Sequence, residues 1–414
     1  MQVSNMSEYE SLAQLVMARL DELGQISQSP DYLDRRYLTA GHQQANRLVA
    51  TWMSEAGMIT WQDAAGNLWG RLESSVPDAP RFIIGSHLDT VPNGGKYDGM
   101  LGVIAPVAIV QMLQGTQFPL PFHLDIVGFG DEEGTRFGST LLGSRALTGQ
   151  WPDAWSKLKD ENGLSLPDAL RSFGLDFDKV KQADITASRP LGYLELHIEQ
   201  GPVLESANLP VGVVTAISGA RRFNIDVTGM AGHAGTVPMN MRLDALAATS
   251  EMILAVESQA RTHGVVATVG KIENRPNGVN VISGSTRFSL DIRSEDDNHR
   301  DAVLEQIMQQ FNQIAARRKL TLHVEQTHSA GAVQCDHRLQ SILKTAIGEC
   351  GIPPFSLPSG AGHDAMAMAL MCPVAMMFLR CDKGISHHPA ESILTEDVAV
   401  ALAALHATIK HLAN

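Results

Sequence analysis

Four short stretches carry residues that bind divalent cations or move protons: GSHLDTVPNGGKYDG (85–99), GFGDEEGTRFG (128–138), LELHIEQG (194–201) and GISHHPAE (384–391). They present His87, Asp98, the pair Glu132 and Glu133, His197 and His387. Imidazoles and carboxylates in such number can hold two divalent ions and leave one carboxylate to act on water. Two ions roughly 3.5–4 Å apart with a water between them form a hydrolytic arrangement for amides and phosphates. Mixed ligands of this kind suit zinc, manganese, cobalt or nickel.

Each residue also has a plainer reading. His87 reads equally as a satisfied core histidine and Asp89 as a turn residue. Yet Asp89 shares a face with His87 on an extended chain, and a ligand histidine commonly donates its second N–H to a carboxylate. Asp98 follows a Gly94–Gly95 turn and could simply cap the helix expected from Met100. Asp131, Glu132 and Glu133 could form a solvated acidic loop. Three adjacent acids after a buried strand otherwise call for a compensating positive charge, and one of them could ligate while its neighbour serves as general base. GFGDEEG is not a dinucleotide turn: its spacing is not G-x-G-x-x-G, and its acids would repel a pyrophosphate. His197 and His387 alone would be structural. Together the stretches all fall at expected strand ends, where open α/β sheets collect ligands.

The elements that would place them follow from periodicity. Helical spacing covers Glu8–Gly24, Gly41–Ala56 and, despite Pro106, Met100–Leu113. Apolar runs at 81–87, 122–130, 192–198 and 374–380 read as buried strands. The alternation predicts an α/β domain with a mostly parallel sheet. The segment 151–190 is more polar and gives no clear pattern. From about 215 the order becomes β-α-β-β-α-β: strands at 222–229, 265–272, 285–293 and 320–326, with helices at 243–260 and 300–317. That is the split β-α-β, ferredoxin-like arrangement. After about 330, helices at 338–350, 359–370 and 395–411 flank the strand at 374–380. The reading divides the chain into 1–214 and 331–414 as a discontinuous catalytic domain and 215–330 as an insert.

The chain has 414 residues and a net charge of −13, with 44% hydrophobic and 19% charged residues. That is ordinary for a globular protein, and the acidity argues against nucleic acid and anionic membrane as partners. Cys335, Cys350, Cys372 and Cys381 form no C-x-x-C pair, which fits free thiols in a reducing compartment. No signal peptide or membrane span is visible, so a cytoplasmic enzyme is expected.

These motifs resemble the M20-type metallopeptidases, and among them the hydantoinase/carbamoylase branch of amidohydrolases. The resemblance covers nearly the whole chain. It implies Asp98 as bridging ligand, with His87 and His197 at one metal and Glu133 and His387 at the other. It implies Glu132 as general base and Asp89 as the residue orienting His87. In GMAGHAGTVPM (229–239), His233 would reach across a homodimer interface formed by the insert, which also serves as a lid, and polarise the scissile carbonyl. Asn280, Arg293, Gln200, Gly362 and His363 would contact substrate. A guanidinium fork suits a carboxylate, although Arg293 could instead pair with Asp291.

The implied reaction is hydrolysis of a ureido group beside a carboxylate, releasing ammonia, carbon dioxide and an amine. Allantoate is favoured by similarity in LPVGVVTAISGARRF and GMAGHAGTVPMNMRLDAL. An N-carbamoyl-L-amino acid or β-ureidopropionate is the alternative. An aminoacylase or peptidase, and a non-catalytic binding protein, fit less well, because His197 and every expected position are present.

Overall fold

The computed structural model describes residues 6–114 and 119–414. They form two compact units, 1–215 with 335–414, and 216–334.

In the first unit the chain runs through α1 (Met6–Gly24), α2 (Ala40–Glu55), the hairpin β1 (Ile59–Gln62) and β2 (Leu68–Leu72), and β3 (Arg81–His87). It continues with α3 (Met100–Gln114), β4 (His123–Phe129), α4 (Leu142–Leu147), α5 (Leu166–Phe173), β5 (Tyr193–Ile198), α6 (Val203–Ser206) and β6 (Val211–Ile217). The second unit holds β7 (Gly219–Thr228), β8 (Gly232–His233), α7 (Ala245–His263), β9 (Val266–Thr268), β10 (Ile272–Arg275), β11 (Val281–Ile282), β12 (Ser285–Ser294), α8 (Asp297–Arg318), β13 (Thr321–Ala330) and β14 (Val333–Gln334). The chain then completes the first unit with α9 (His337–Glu349), β15 (Ser356–Ser359), α10 (Ala365–Met368), β16 (Val374–Leu379) and α11 (Thr395–Ala413).

The large sheet is ordered β1-β2-β4-β3-β5-β16-β6. Its centre, β4-β3-β5-β16, is parallel, and β2 and β6 flank it antiparallel. Parallel strands point their carboxyl ends the same way, so His87, Gly130, His197 and Arg380 emerge along one edge. The helix α3 is apolar on all sides, and Met100 through Val110 are all buried. It packs on β3, β4, β5, α1 and α11. Pro106 is tolerated inside it. Gly102 is required there, because a Cβ would sit 2.2 Å from the Leu196 carbonyl oxygen of β5.

The second unit has strand order β10-β12-β7-β13, with β9 also on β12. Among the described residues its strands pair antiparallel. Buried Phe223, Ile225 and Val227 of β7 and Phe288, Leu290 and Ile292 of β12 face α7 and α8, whose Met252, Val256, Ile307 and Phe311 complete a separate core.

Several elements differ from expectation. The strand expected over 265–272 is split into β9 and β10, with Lys271 linked to Ser289 between them. The strand β13 exposes most of its length on both faces, as an edge strand does, instead of burying one face. The helix expected over 359–370 shrinks to α10, preceded by β15. The segment 151–190 resolves into α5 and short 3-10 turns at 153–157, 177–183 and 186–188. The hairpin β1–β2 and the strand β6 were not anticipated. The four cysteines are free. Among the described residues no helix is long and apolar enough to cross a membrane.

Candidate metal centre

Asp98 gathers three imidazoles. His197 Nε2 lies 3.1 Å and His87 Nε2 3.5 Å from Asp98 Oδ1. His387 Nε2 lies 3.2 Å from Asp98 Oδ2 and 3.4 Å from Glu133 Oε1. Two donor sets result, His87–Asp98–His197 and Asp98–Glu133–His387, each with ligand atoms within 4.8 Å of one another. Asp98 belongs to both. The first set is buried, whereas the His387 side chain is half exposed.

The ring nitrogens show what such a site accepts. His87 Nδ1 is 3.0 Å from the Asp89 carbonyl, and His197 Nδ1 is 2.9 Å from the Ile198 carbonyl. A carbonyl oxygen only accepts, so both Nδ1 atoms carry a proton, and each ring in its neutral form presents a lone pair at Nε2. His87 Nε2 is buried without a hydrogen-bond partner. Two lone pairs and a carboxylate aimed at one point repel one another unless a cation lies between them. The residues therefore fit a divalent metal.

The local charges are strongly shifted. Burial alone would raise the Asp98 carboxyl, but His197, His387 and His87 overcome it and hold it well below the usual carboxylate range. His387 is raised to about 9, first by Asp98 and, against the effect of burial, also by Glu133. Burial raises Glu133 to about 7, with Asp98 adding to the effect. Burial also pushes Glu132 well above its ordinary range, aided by Glu133. Glu132 lies beside His87 and Glu133, with ligand atoms within 4.8 Å of one another, which brings it to the donor cluster.

Backbone geometry fixes these side chains. Asp131 and His387 hold left-handed φ values of 62° and 55°, conformations that non-glycine residues rarely adopt and that cluster at functional sites. Gly99, at φ 81°, has no alternative, since a Cβ would meet the His87 ring at 2.4 Å. Asp89 lies against His87 through two groups. Its carbonyl lies 3.0 Å from His87 Nδ1, and its carboxylate is also near that nitrogen, at 3.5 Å. The carboxylate also accepts the backbone N–H of Glu132 at 3.1 Å and of Glu133 at 3.3 Å. Asp98 is not seen as a helix cap; its carboxylate faces the histidines.

Other expected contacts are placed as follows. Gln200, also left-handed at φ 58°, donates through Nε2 to Asp98 Oδ2 at 2.8 Å and to Ser386 Oγ at 3.1 Å. His363 is buried with Nε2 2.8 Å from Ser359 Oγ, and its ring stands edge-on to His197 at 4.5 Å. Burial pushes its pKa well below the usual value, aided by His197. Gly362 is sterically open, a Cβ there only touching Met366 Sδ at 3.7 Å.

In the second unit, His233 pairs with Val281 across β8–β11, and the Ala234 N–H donates to the Asn280 carbonyl at 2.9 Å. His233 and Asn280 are thus neighbours on an exposed two-stranded element. Arg293 uses its fork on Asp291, with Nε 2.8 Å from Oδ1 and a terminal nitrogen 3.0 Å from Oδ2. Asp291 also receives Arg222.

Sequence reasoning missed several supporting groups. The fully buried Arg35 donates to the carbonyls of Leu88, Leu23 and Ile26, fixing the turn that bears Asp89. Nothing in DRRY signals this. Glu195 accepts from Ser86, Tyr193 and the Ala365 N–H. Its alternation with His197 along β5 was a usable sign. Ser386 and Glu391 lie inside GISHHPAE but were passed over beside the histidines.

The sequence profile of peptidase family M20/M25/M40 matches residues 83–411. An N-carbamoyl-L-amino acid amidohydrolase of Geobacillus stearothermophilus is 41% identical over 398 residues, 96% of this chain and 97% of its own. An allantoate deiminase of Arabidopsis thaliana is 40% identical over 417 residues, 93% of this chain and 79% of its own. A solved hydantoinase/carbamoylase-family amidase from Burkholderia multivorans has a TM-score of 0.92 and 30% identity, with 97% of this chain and 98% of that one covered. The chain belongs to peptidase family M20/M25/M40, in its hydantoinase/carbamoylase branch, and is a metal-dependent amidohydrolase.

Proposed function

We propose that the chain hydrolyses the ureido C–N bond of a small carboxylate, with allantoate as the favoured substrate. The observation that carries the reading is Asp98, shared by two donor sets, with Glu132 grouped beside His87 and Glu133. On this reading His87, Asp98 and His197 hold one divalent ion, and Asp98, Glu133 and His387 a second; zinc, manganese, cobalt and nickel all suit them. Bound ions there supply Lewis acidity and lower the pKa of water.

Glu132 takes the proton of the attacking water and returns it to the leaving nitrogen. Asp89 holds Glu132 and Glu133 through their N–H groups and His87 through its carbonyl. His233 of the partner subunit, in a homodimer joined through the insert, polarises the scissile carbonyl. Asn280, Gln200, Gly362 and His363 line the substrate. Arg293 grips its carboxylate, exchanging Asp291 for it. The insert over 215–330 then acts as lid and dimerisation domain, between catalytic segments 1–214 and 331–414. The carbamate product decays to ammonia and carbon dioxide.

N-carbamoyl-L-amino acids are the second reading, favoured by the Geobacillus relative at 41% identity. Ammonia release from allantoate and N-carbamoyl-L-amino acids, with release of free amino acids from a dipeptide measured beside it, separates these readings. Turnover of allantoate far above the others is expected. Turnover of the dipeptide alone would remove the ureido reading altogether.

A further inference from the structure

Asp98 Oδ2 faces His387, so whatever sets the spacing of their two loops sets the Asp98–Glu133–His387 group. The chain neighbours of Asp98 do not do this. Glu391 does, from far along the sequence. The buried Glu391 carboxylate accepts the Asp98 N–H at 3.1 Å and the Tyr97 N–H at 3.0 Å through Oε1. Its other oxygen lies 3.2 Å from the Ser386 hydroxyl, which is also 2.8 Å from Asp98 Oδ2. One side chain therefore ties the loop of Asp98 to the loop of His387. The fit is close: a Cβ on Gly95 would come within 2.2 Å of Glu391 Oε1. Glycine at 95 lets the loop backbone lie directly over the carboxylate.

We propose that Glu391 is a positioning residue that sets the affinity of the Asp98–Glu133–His387 set for its metal ion. This rests on the metal-site reading given above. Glu391 belongs to neither donor set. It acts as an acceptor that holds two N–H groups and a hydroxyl, and thereby the spacing of Asp98 Oδ2 from His387 Nε2. Leaving the two buried N–H groups without an acceptor would let the loop move to seek water. A ligand displaced by about 1 Å loses much of its contribution to a site of fixed geometry.

The test titrates the metal-free full chain with zinc or manganese against a competing chelator, recording stoichiometry and affinity, with thermal unfolding of the metal-free proteins in parallel. Glu391→Gln keeps an acceptor oxygen for both N–H groups and should bind within threefold of the parent. Glu391→Ala should lose the second ion at least tenfold in affinity while the first remains. Glu391→Asp, which withdraws the acceptor by one methylene, should fall with Ala, and it decides the matter if the Ala variant does not fold. Parent-like affinity in folded Ala or Asp variants would overturn the proposal. So would a Gln variant as weak as Asp, because charge and not acceptance would then be the cause. A parent chain that binds no divalent ion would instead overturn the metal-site reading, and this inference with it.

Discussion

The Glu132 N–H donates to Asp89 Oδ1 at 3.1 Å. The residue proposed as base is thereby tied to the residue that holds the His87 ring. Base and first ligand share one support, and a change at Asp89 reaches both.

Replacing Asp89 by Asn tests that coupling. The amide keeps one acceptor oxygen and turns an NH2 toward a backbone N–H. An unsatisfied buried donor costs about 1–3 kcal/mol. Asp89→Asn should unfold at lower denaturant and turn over more slowly, by at least tenfold. Wild-type turnover in a folded variant would separate Asp89 from the chemistry.

Glu132→Gln should leave metal content unchanged and cut kcat by about 10²–10⁴, the range of a positioned general base. Metal analysis and steady-state ammonia release check it together. A variant with most of its activity would remove Glu132 from that role.

Chelation should abolish activity and lower the thermal midpoint, because an ion that binds only the folded chain stabilises it. The gain is about 4 kcal/mol when free metal is 1,000 times Kd. Restoring zinc, manganese, cobalt or nickel one at a time identifies the ion. An unchanged midpoint in a verified metal-free protein would contradict the donor geometry.

Arg293→Lys should raise KM for a carboxylate substrate at least tenfold and leave kcat within threefold, since a lysine cannot reproduce the fork. The same variant loosens the pair with Asp291, so unfolding should be measured beside it. An equal fall in kcat with no change in KM would show that Arg293 acts otherwise.

Acid sensitivity follows from His42. Burial lowers its pKa to about 4, and the unfolded value is about 6.5. Between those values the unfolded chain binds the extra proton. This contribution to stability is complete above about pH 6.5 and is lost as pH falls toward 4, by up to about 1.4 kcal/mol per pH unit. His406, also lowered to about 4, adds in the same direction. Denaturant midpoints between pH 7 and 4 should fall less steeply in His42→Gln. An identical slope would assign the sensitivity elsewhere.

The parallel centre of the sheet was legible because β3, β4, β5 and β16 are continuous apolar runs, the mark of strands buried on both faces. His87, Asp98, Glu133, His197 and His387 were legible because they interrupt or follow those runs with groups that have no reason to be there. The supports were not. Arg35 acts through three carbonyls, and carbonyls carry no sequence signature. Asp89 works through both its main chain and its carboxylate, a combination no spacing rule contains. Edge behaviour was equally hidden. The alternation of β13 matches that of a half-buried strand, and only the pairing with β7 on one side reveals its exposure. The residues 115–118, beyond the helix expected to Leu113, lie outside the described residues.

The strand β16 lies between β5 and β6, yet it is made after the whole second unit. During synthesis β5 and β6 emerge with a gap between them that cannot be filled until more than a hundred further residues have followed. The sheet centre, and with it His387 and Glu391, thus closes last. A nascent chain without β16 holds only part of the candidate donor cluster, and long-range closure of this kind is slow and exposes strand edges while it waits. The candidate donor cluster is complete only once β16 and the loop after it have been made.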